Sequence, residues 1–208
     1  MGTLDLRKQL KHLYQPAAGK VEVVDVPEFK YAMVEGVIEP GCAPATSPSF
    51  QQAVEALYGV SYALKFMSKQ RTVDPIDYAV MPLEALWWAT DGQFDISQPG
   101  NWAWIAMIVQ PDHVTDSMFA EACAKLRKKR PSPAIEKLRF EGLHEGLCVQ
   151  TLHLGPYSEE PATIARIEAF ASENGYVLHG KHHEIYLGDP KRVAPEKLKT
   201  ILRYPCSK

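Results

Sequence analysis

Apolar positions along the chain switch between two periods. Leu6, Leu10, Leu13 and Tyr14 recur at helical spacing, and Pro16 and Gly19 end that short lead-in. Val21 to Val37 is rich in valine and reads as a strand region with an edge or bend at Pro27. After a Gly-Pro-Ser-Thr loop, Ser47-Pro48 supplies a capping hydroxyl and a first-turn proline. Phe50, Ala53, Val54, Leu57, Ser61, Leu64 and Met67 then mark one face of a helix. Asp77 to Ala89, bent at Pro82, and Trp102 to Val109 read as strands on either side of a loop carrying Asp91-Gly92 and Pro99-Gly100. Thr115 caps a helix to about Lys129, and Ser132-Pro133 starts a shorter one. Gly146 to Leu154 predicts a strand. A helix from about Ser158 carries Ile164, Ile167, Phe170 and Ala171 on one side and stops at Gly175. Tyr176 to Leu187 predicts another strand, Pro195 a short helix, and Ile201 to Pro205 a last strand.

The order of elements repeats. Strand, helix, strand, strand over about 21–110 is followed, after connecting helices at 115–138, by the same order over about 146–205. Neither half alone covers a sheet and a helix, whereas two halves side by side share one sheet with both helices on one face. The pattern predicts an α+β fold: a tandem β-α-β-β repeat with pseudo-two-fold symmetry, an antiparallel sheet, two long helices and a central ligand cleft. Residues 1–20 form the lead-in and 21–208 the domain.

Composition narrows the function classes. Of 208 residues, 46% are apolar and 23% charged, as in an ordinary globular protein. A net charge of -2 with pI near 6.4 offers no broad basic surface for a phosphate backbone. The basic run Lys125 to Arg130 reads as a solvated helix end. No apolar stretch reaches the ~18–20 residues of a membrane helix, and the N-terminus lacks a signal-peptide core, so a cytoplasmic protein is expected. Cys42, Cys123, Cys148 and Cys206 are scattered and form no Cys-x-x-Cys pair.

The candidate chemistry lies on two matched strand segments, Met81 to Trp88 and Lys181 to Gly188. Alternation puts His182, Glu184 and Tyr186 on one face of the second, and Glu84, Leu86 and Trp88 on one face of the first. If the halves are related by a two-fold axis, both sets are expected to face a shared groove. A carboxylate on an aromatic wall attracts cations, and partial burial fits it for proton transfer. Trp102 and Trp104 share a face and are further candidates for a wall against flat molecules. His183-Glu184 lacks the second histidine of a zinc-protease helix, and phosphate-binding glycine loops and the Gly-x-Ser-x-Gly elbow are absent. No metal and no cofactor is expected.

These residues carry a resemblance. The run from His183 to Arg203 resembles the C-terminal signature of GyrI-like proteins, as does Leu154 to Thr163 before the second helix. Met81 to Trp88 and Leu57 to Met67 look like the longer, stand-alone branch. The resemblance extends from about Val21 to near the C-terminus. It implies the tandem fold and a binding domain for aromatic or cationic small molecules, related to effector-binding domains of multidrug-sensing regulators. There, a glutamate matching Glu184 sits in an aromatic pocket. The lead-in is too short for a helix-turn-helix, so direct nucleic-acid binding is not expected. Stand-alone relatives include hydrolases that open reactive cyclopropanoid compounds, a detoxifying activity. By resemblance Glu184 orients or deprotonates water, Tyr186 or a nearby tryptophan holds the flat substrate, and Tyr157, Glu84 and His182 line the pocket. The turn Gly36 to Gly41 departs from the family's usual sequence, which puts ligand choice in question. A catalyst and a non-catalytic drug or metabolite binder stay open alternatives. A DNA gyrase modulator is the third; the mixed charges argue against it. The sequence is silent on oligomeric state and natural ligand.

Overall fold

The computed structural model describes residues 3–91, 94–96 and 101–208. The lead-in forms two short turns, α1 (Leu6–Gln9) and α2 (Lys11–Tyr14), and Leu13 and Tyr14 are fully buried. The valine-rich stretch is two strands, β1 (Val21–Val26) and β2 (Phe29–Val37), because Pro27 breaks the ladder between them. Helix α3 (Pro48–Lys69) begins at Ser47, whose Oγ accepts from the Phe50 amide at 3.2 Å. Strands β3 (Glu84–Ala89) and β4 (Trp102–Gln110) follow. Helices α4 (Asp116–Lys129) and α5 (Pro133–Glu136) lead to β5 (Arg139–Leu143), a strand the periodicity does not reveal. The second half contains β6 (Gly146–Leu154), α6 (Glu160–Glu173), β7 (Val177–Leu178), β8 (His182–Tyr186) and β9 (Lys199–Ser207). Helix α6 ends where Gly175 takes φ +71°, a conformation glycine adopts without steric cost.

Both segments expected as long strands are shorter. Residues 77–83 are extended but largely unpaired, and 176–187 splits into β7 and β8 around Gly180 at φ +75°. All strand pairs are antiparallel, and the main path runs β1-β6-β9-β8-β3-β4-β2-β5, with β7 on β9. The three strands β2, β4 and β3 thus match β6, β9 and β8 about an axis through the β3–β8 pair. The outer strands are exchanged: β1 precedes the first half yet pairs with β6 of the second, while β5 pairs with β2.

Helix α3 packs on β2 and β4, and α6 on β6 and β1. The central β3–β8 pair lies between the two helices. Register decides what it presents there. Trp87 pairs with Trp104 and with His182, and Ala85 with Ala106 and Glu184, so these residues share the helix-bearing face. Phe50 of α3 touches both Trp87 and Trp104, with ring centroids 5.1 Å away in each case. A Cβ at Gly36 would meet the Trp104 ring at 2.4 Å, so glycine is what lets β2 pass that indole.

Candidate functional site

Strand β8 places His182, Glu184 and Tyr186 on the helix-bearing face, each largely buried. His182 Nε2 lies 2.9 Å from Glu184 Oε1. The Tyr186 hydroxyl accepts from Trp87 Nε1 at 3.1 Å and hydrogen-bonds the Glu184 carboxylate. Burial, and then the charge of Glu184, push the Tyr186 phenol well above its ordinary range, so it acts as a neutral donor. The Tyr157 ring stands edge-on to Tyr186 at 5.9 Å. Phe94 stacks against His182 at 5.6 Å and meets Trp102 at a tilt at 5.0 Å, and Tyr204 also packs on His182, at 5.0 Å. The Trp102 Nε1 donates to the Asp95 carbonyl, which fixes its ring against Trp87. Trp104 lies deeper, 1% exposed, with Nε1 lacking a hydrogen-bond partner among the described residues.

The first turn of α6 contributes a residue that strand periodicity did not single out. Glu160 is 1% exposed and hydrogen-bonds Glu184 and Thr200. Burial and the adjacent Glu184 push its carboxyl well above the ordinary range, so at neutral pH the buried pair holds a proton. Glu160 Oε1 and His182 Nδ1 are buried without a hydrogen-bond partner among the described residues. Ligand atoms of Glu160, His182 and Glu184 all lie within 4.8 Å of one another, which makes this the group, among the described residues, able to hold a metal ion. The helix start, with Pro161 after Glu160, marks the element but not the burial of its acid.

Glu84 and Trp88 do not lie on this face of the sheet. The antiparallel register pairs Ala85, not Glu84, with Glu184, and a shift of one residue turns a strand side chain to the opposite face. Trp88 is turned away in the same manner and carries Lys181 Nζ over its ring at 3.8 Å. Glu84 belongs to a separate buried network under the N-terminal turns. It accepts from Tyr14 at 2.9 Å and meets His183 Nε2 at 3.1 Å. The other His183 nitrogen, Nδ1, lies 2.9 Å from Glu145, which pairs with Arg203 at 3.1 Å. Arg203 also donates to Gln150 and to the Leu13 carbonyl. Two carboxylates thus face one guanidinium and one imidazolium.

Burial alone would lower the His183 pKa, but Glu145 and Glu84 outweigh it and hold it at about 9. Burial would raise Glu145, yet His183 and Arg203 keep it at about 2. A histidine raised on folding stabilises the protein fully below its unfolded pKa of about 6.5 and loses that contribution as pH rises through about 9. A carboxylate lowered on folding contributes fully above about 4.3 and loses it as pH falls through about 2. Urea unfolding is therefore expected to show a loss of stability as pH rises from about 6.5 to 9, added to the loss that the raised Glu160 carboxyl causes above about 4.3, with His183→Gln flattening the part between about 6.5 and 9. An unchanged slope there in that variant would remove His183 as its source.

Similarity agrees with this architecture. Residues 19–205 match the family model of the GyrI-like small molecule binding domain. A crystal structure of an uncharacterized conserved protein from Listeria innocua is 37% identical, with TM-score 0.88, and the match covers 99% of this chain and 100% of that one. A Listeria innocua hydrolase encoded by lin2189 is 36% identical, with TM-score 0.85 and the same coverage. The C-terminal domain of EcmrR shares the fold at 11% identity and TM-score 0.53, over 91% of this chain and 98% of its own. No curated protein sequence matches this one. Among the described residues no helix is long and apolar enough to cross a membrane. The match across nearly the whole chain makes this protein a member of the GyrI-like small-molecule-binding domain family.

Proposed function

We propose that this chain binds flat aromatic compounds, cationic ones above all, between α3 and α6, and that it hydrolyses strained electrophiles of the cyclopropanoid type held there. The observation that carries the reading is the pairing of Glu184 with a protonated Glu160 inside a wall of Trp87, Trp102, Tyr157 and Tyr186. An ionised carboxylate among rings attracts a delocalised cation. The same pair suits acid–base work: Glu184 takes a proton from water as its oxygen bonds to a ring carbon and the carbon–carbon bond breaks. Glu160 gives its proton to the oxygen that receives the bond's electrons. The hydrogen bond between the two carboxyls then returns the proton from Glu184 to Glu160, which restores the starting state. The hydrolase from Listeria innocua at 36% identity supports this reading.

Binding is tested by tryptophan fluorescence at pH 8 with N-methylacridinium, a permanent flat cation, and acridine, its neutral counterpart. Glu184→Gln is expected to weaken the cation about tenfold and acridine by less than about twofold. Glu84→Gln, on the opposite face, is expected to change neither by more than about twofold. Equal affinity of the wild-type and Glu184→Gln proteins for the cation would remove the carboxylate from recognition. A non-catalytic binder gives the same quenching with no turnover of a cyclopropanoid in either protein.

A further inference from the structure

We propose that Glu160, His182 and Glu184 form a binding site for a divalent transition-metal ion, with one imidazole nitrogen and two carboxylates as ligands. Three observations carry it. First, the geometry is convergent from two elements: β8 presents His182 and Glu184 on one face, and the first turn of α6 brings Glu160 over them, with ligand atoms within 4.8 Å of one another. In an octahedral site with bonds of about 2.1 Å, neighbouring ligand atoms are about 3 Å apart and opposite ones about 4.2 Å. His182 Nε2 and Glu184 Oε1 already stand at 2.9 Å, so closure asks for a small side-chain shift of Glu160.

Second, Glu160 is 1% exposed and its Oε1 is buried with no hydrogen-bond partner among the described residues. A buried acceptor left open in this way is costly unless a ligand completes it. Third, an outer layer orients the donors. Thr200 hydrogen-bonds Glu160, and Tyr186, itself anchored by Trp87, hydrogen-bonds Glu184. Such partners fix the direction of ligating oxygens. Once the ion displaces the Glu160 proton, two carboxylates balance its charge, and the imidazole favours zinc, iron or cobalt over magnesium and calcium, which take oxygen alone.

The metal site shares residues with the aromatic-cation reading but does not depend on it. An ion there occupies the Glu184 lone pairs and adds positive charge, so metal and organic cation exclude one another. The test uses the full chain freed of metal by chelation and dialysis. CoCl2 is followed by visible absorption and ZnCl2 by calorimetry, with MgCl2 as comparison. One equivalent of Co2+ or Zn2+ is expected to bind with Kd on the order of 1–10 µM. Glu160→Gln and His182→Gln are each expected to weaken it at least about tenfold, with thermal unfolding confirming that both variants fold. Zn2+ is expected to displace N-methylacridinium. Absence of binding below about 1 mM, or binding insensitive to both substitutions, overturns the site. If the metal binds and N-methylacridinium does not, the metal site stands and the aromatic-cation reading falls. The converse result removes the metal site alone.

Discussion

Arg203→Leu is expected to destabilise the protein by about 3–5 kcal/mol in urea unfolding. Arg203 is completely buried and holds three partners at once: the Glu145 carboxylate, the Gln150 amide oxygen and the Leu13 carbonyl. Leucine removes one positive charge from a cluster in which two carboxylates face two cations. Glu145 and Glu84 then share His183 alone, with an uncompensated negative charge out of water. A lone buried charge costs more than the pair gained, so the loss exceeds that of a surface ion pair. The docked Leu13 and Tyr14 turn is also released from one of its ties. Adding Glu145→Gln to Arg203→Leu is expected to recover part of the stability, because it removes the orphaned charge. Additive losses in the double variant would mean that the pair acts independently. Folded Arg203→Leu is expected to keep wild-type affinity for N-methylacridinium, since the network lies on the far face of the sheet.

Glu184→Gln is expected to lower turnover of a cyclopropanoid substrate by roughly 10²–10⁴-fold, the usual range for losing a positioned base. Glutamine nearly preserves the shape and can still hydrogen-bond Tyr186, His182 and Glu160, so the fold and the aromatic wall should persist. What it lacks is an acceptor basic enough to take a proton from water. Single-turnover measurements with saturating substrate separate this from weakened binding: the chemical step slows while acridine affinity is retained. Full hydrolysis by Glu184→Gln would exclude this residue as the base. Glu160→Gln tests the complementary role. It keeps an N–H donor beside Glu184 but cannot give up a proton, so its defect should be greatest with substrates whose leaving oxygen is most basic.

The sequence made most of the scaffold legible. Helix α3 is readable from Ser47-Pro48 and from six apolar positions and Ser61 on one face, most of them buried, because capping and periodicity are local signals. His182, Glu184 and Tyr186 were readable as one face because strand alternation is a local rule. Glu84 faces away from Glu184 for a nonlocal reason: the β3–β8 register, set by tertiary packing, offsets the two glutamates by one residue. Glu160 carried no local sign of burial, since an acid in the first turn of a helix is ordinarily exposed and favoured there by the dipole. β5 was missed because Arg139 to Leu143 is short, polar and half-exposed, and pairs only at the edge of β2.

The exchange of β1 onto the second half governs how far α3 and α6 can move apart. Drawing α3 and α6 apart would need the β3–β8 ladder to part while β1, tethered to β2 through Pro27 and Glu28, stays zipped to β6. Hinge bending of one half against the other is therefore locked by its own connector. Under the proposed reading, adjustment to different ligands comes from rotation of the wall's rings, so substitutions at Trp102 or Tyr157 are expected to alter selectivity more than loosening of the β1–β2 strap would.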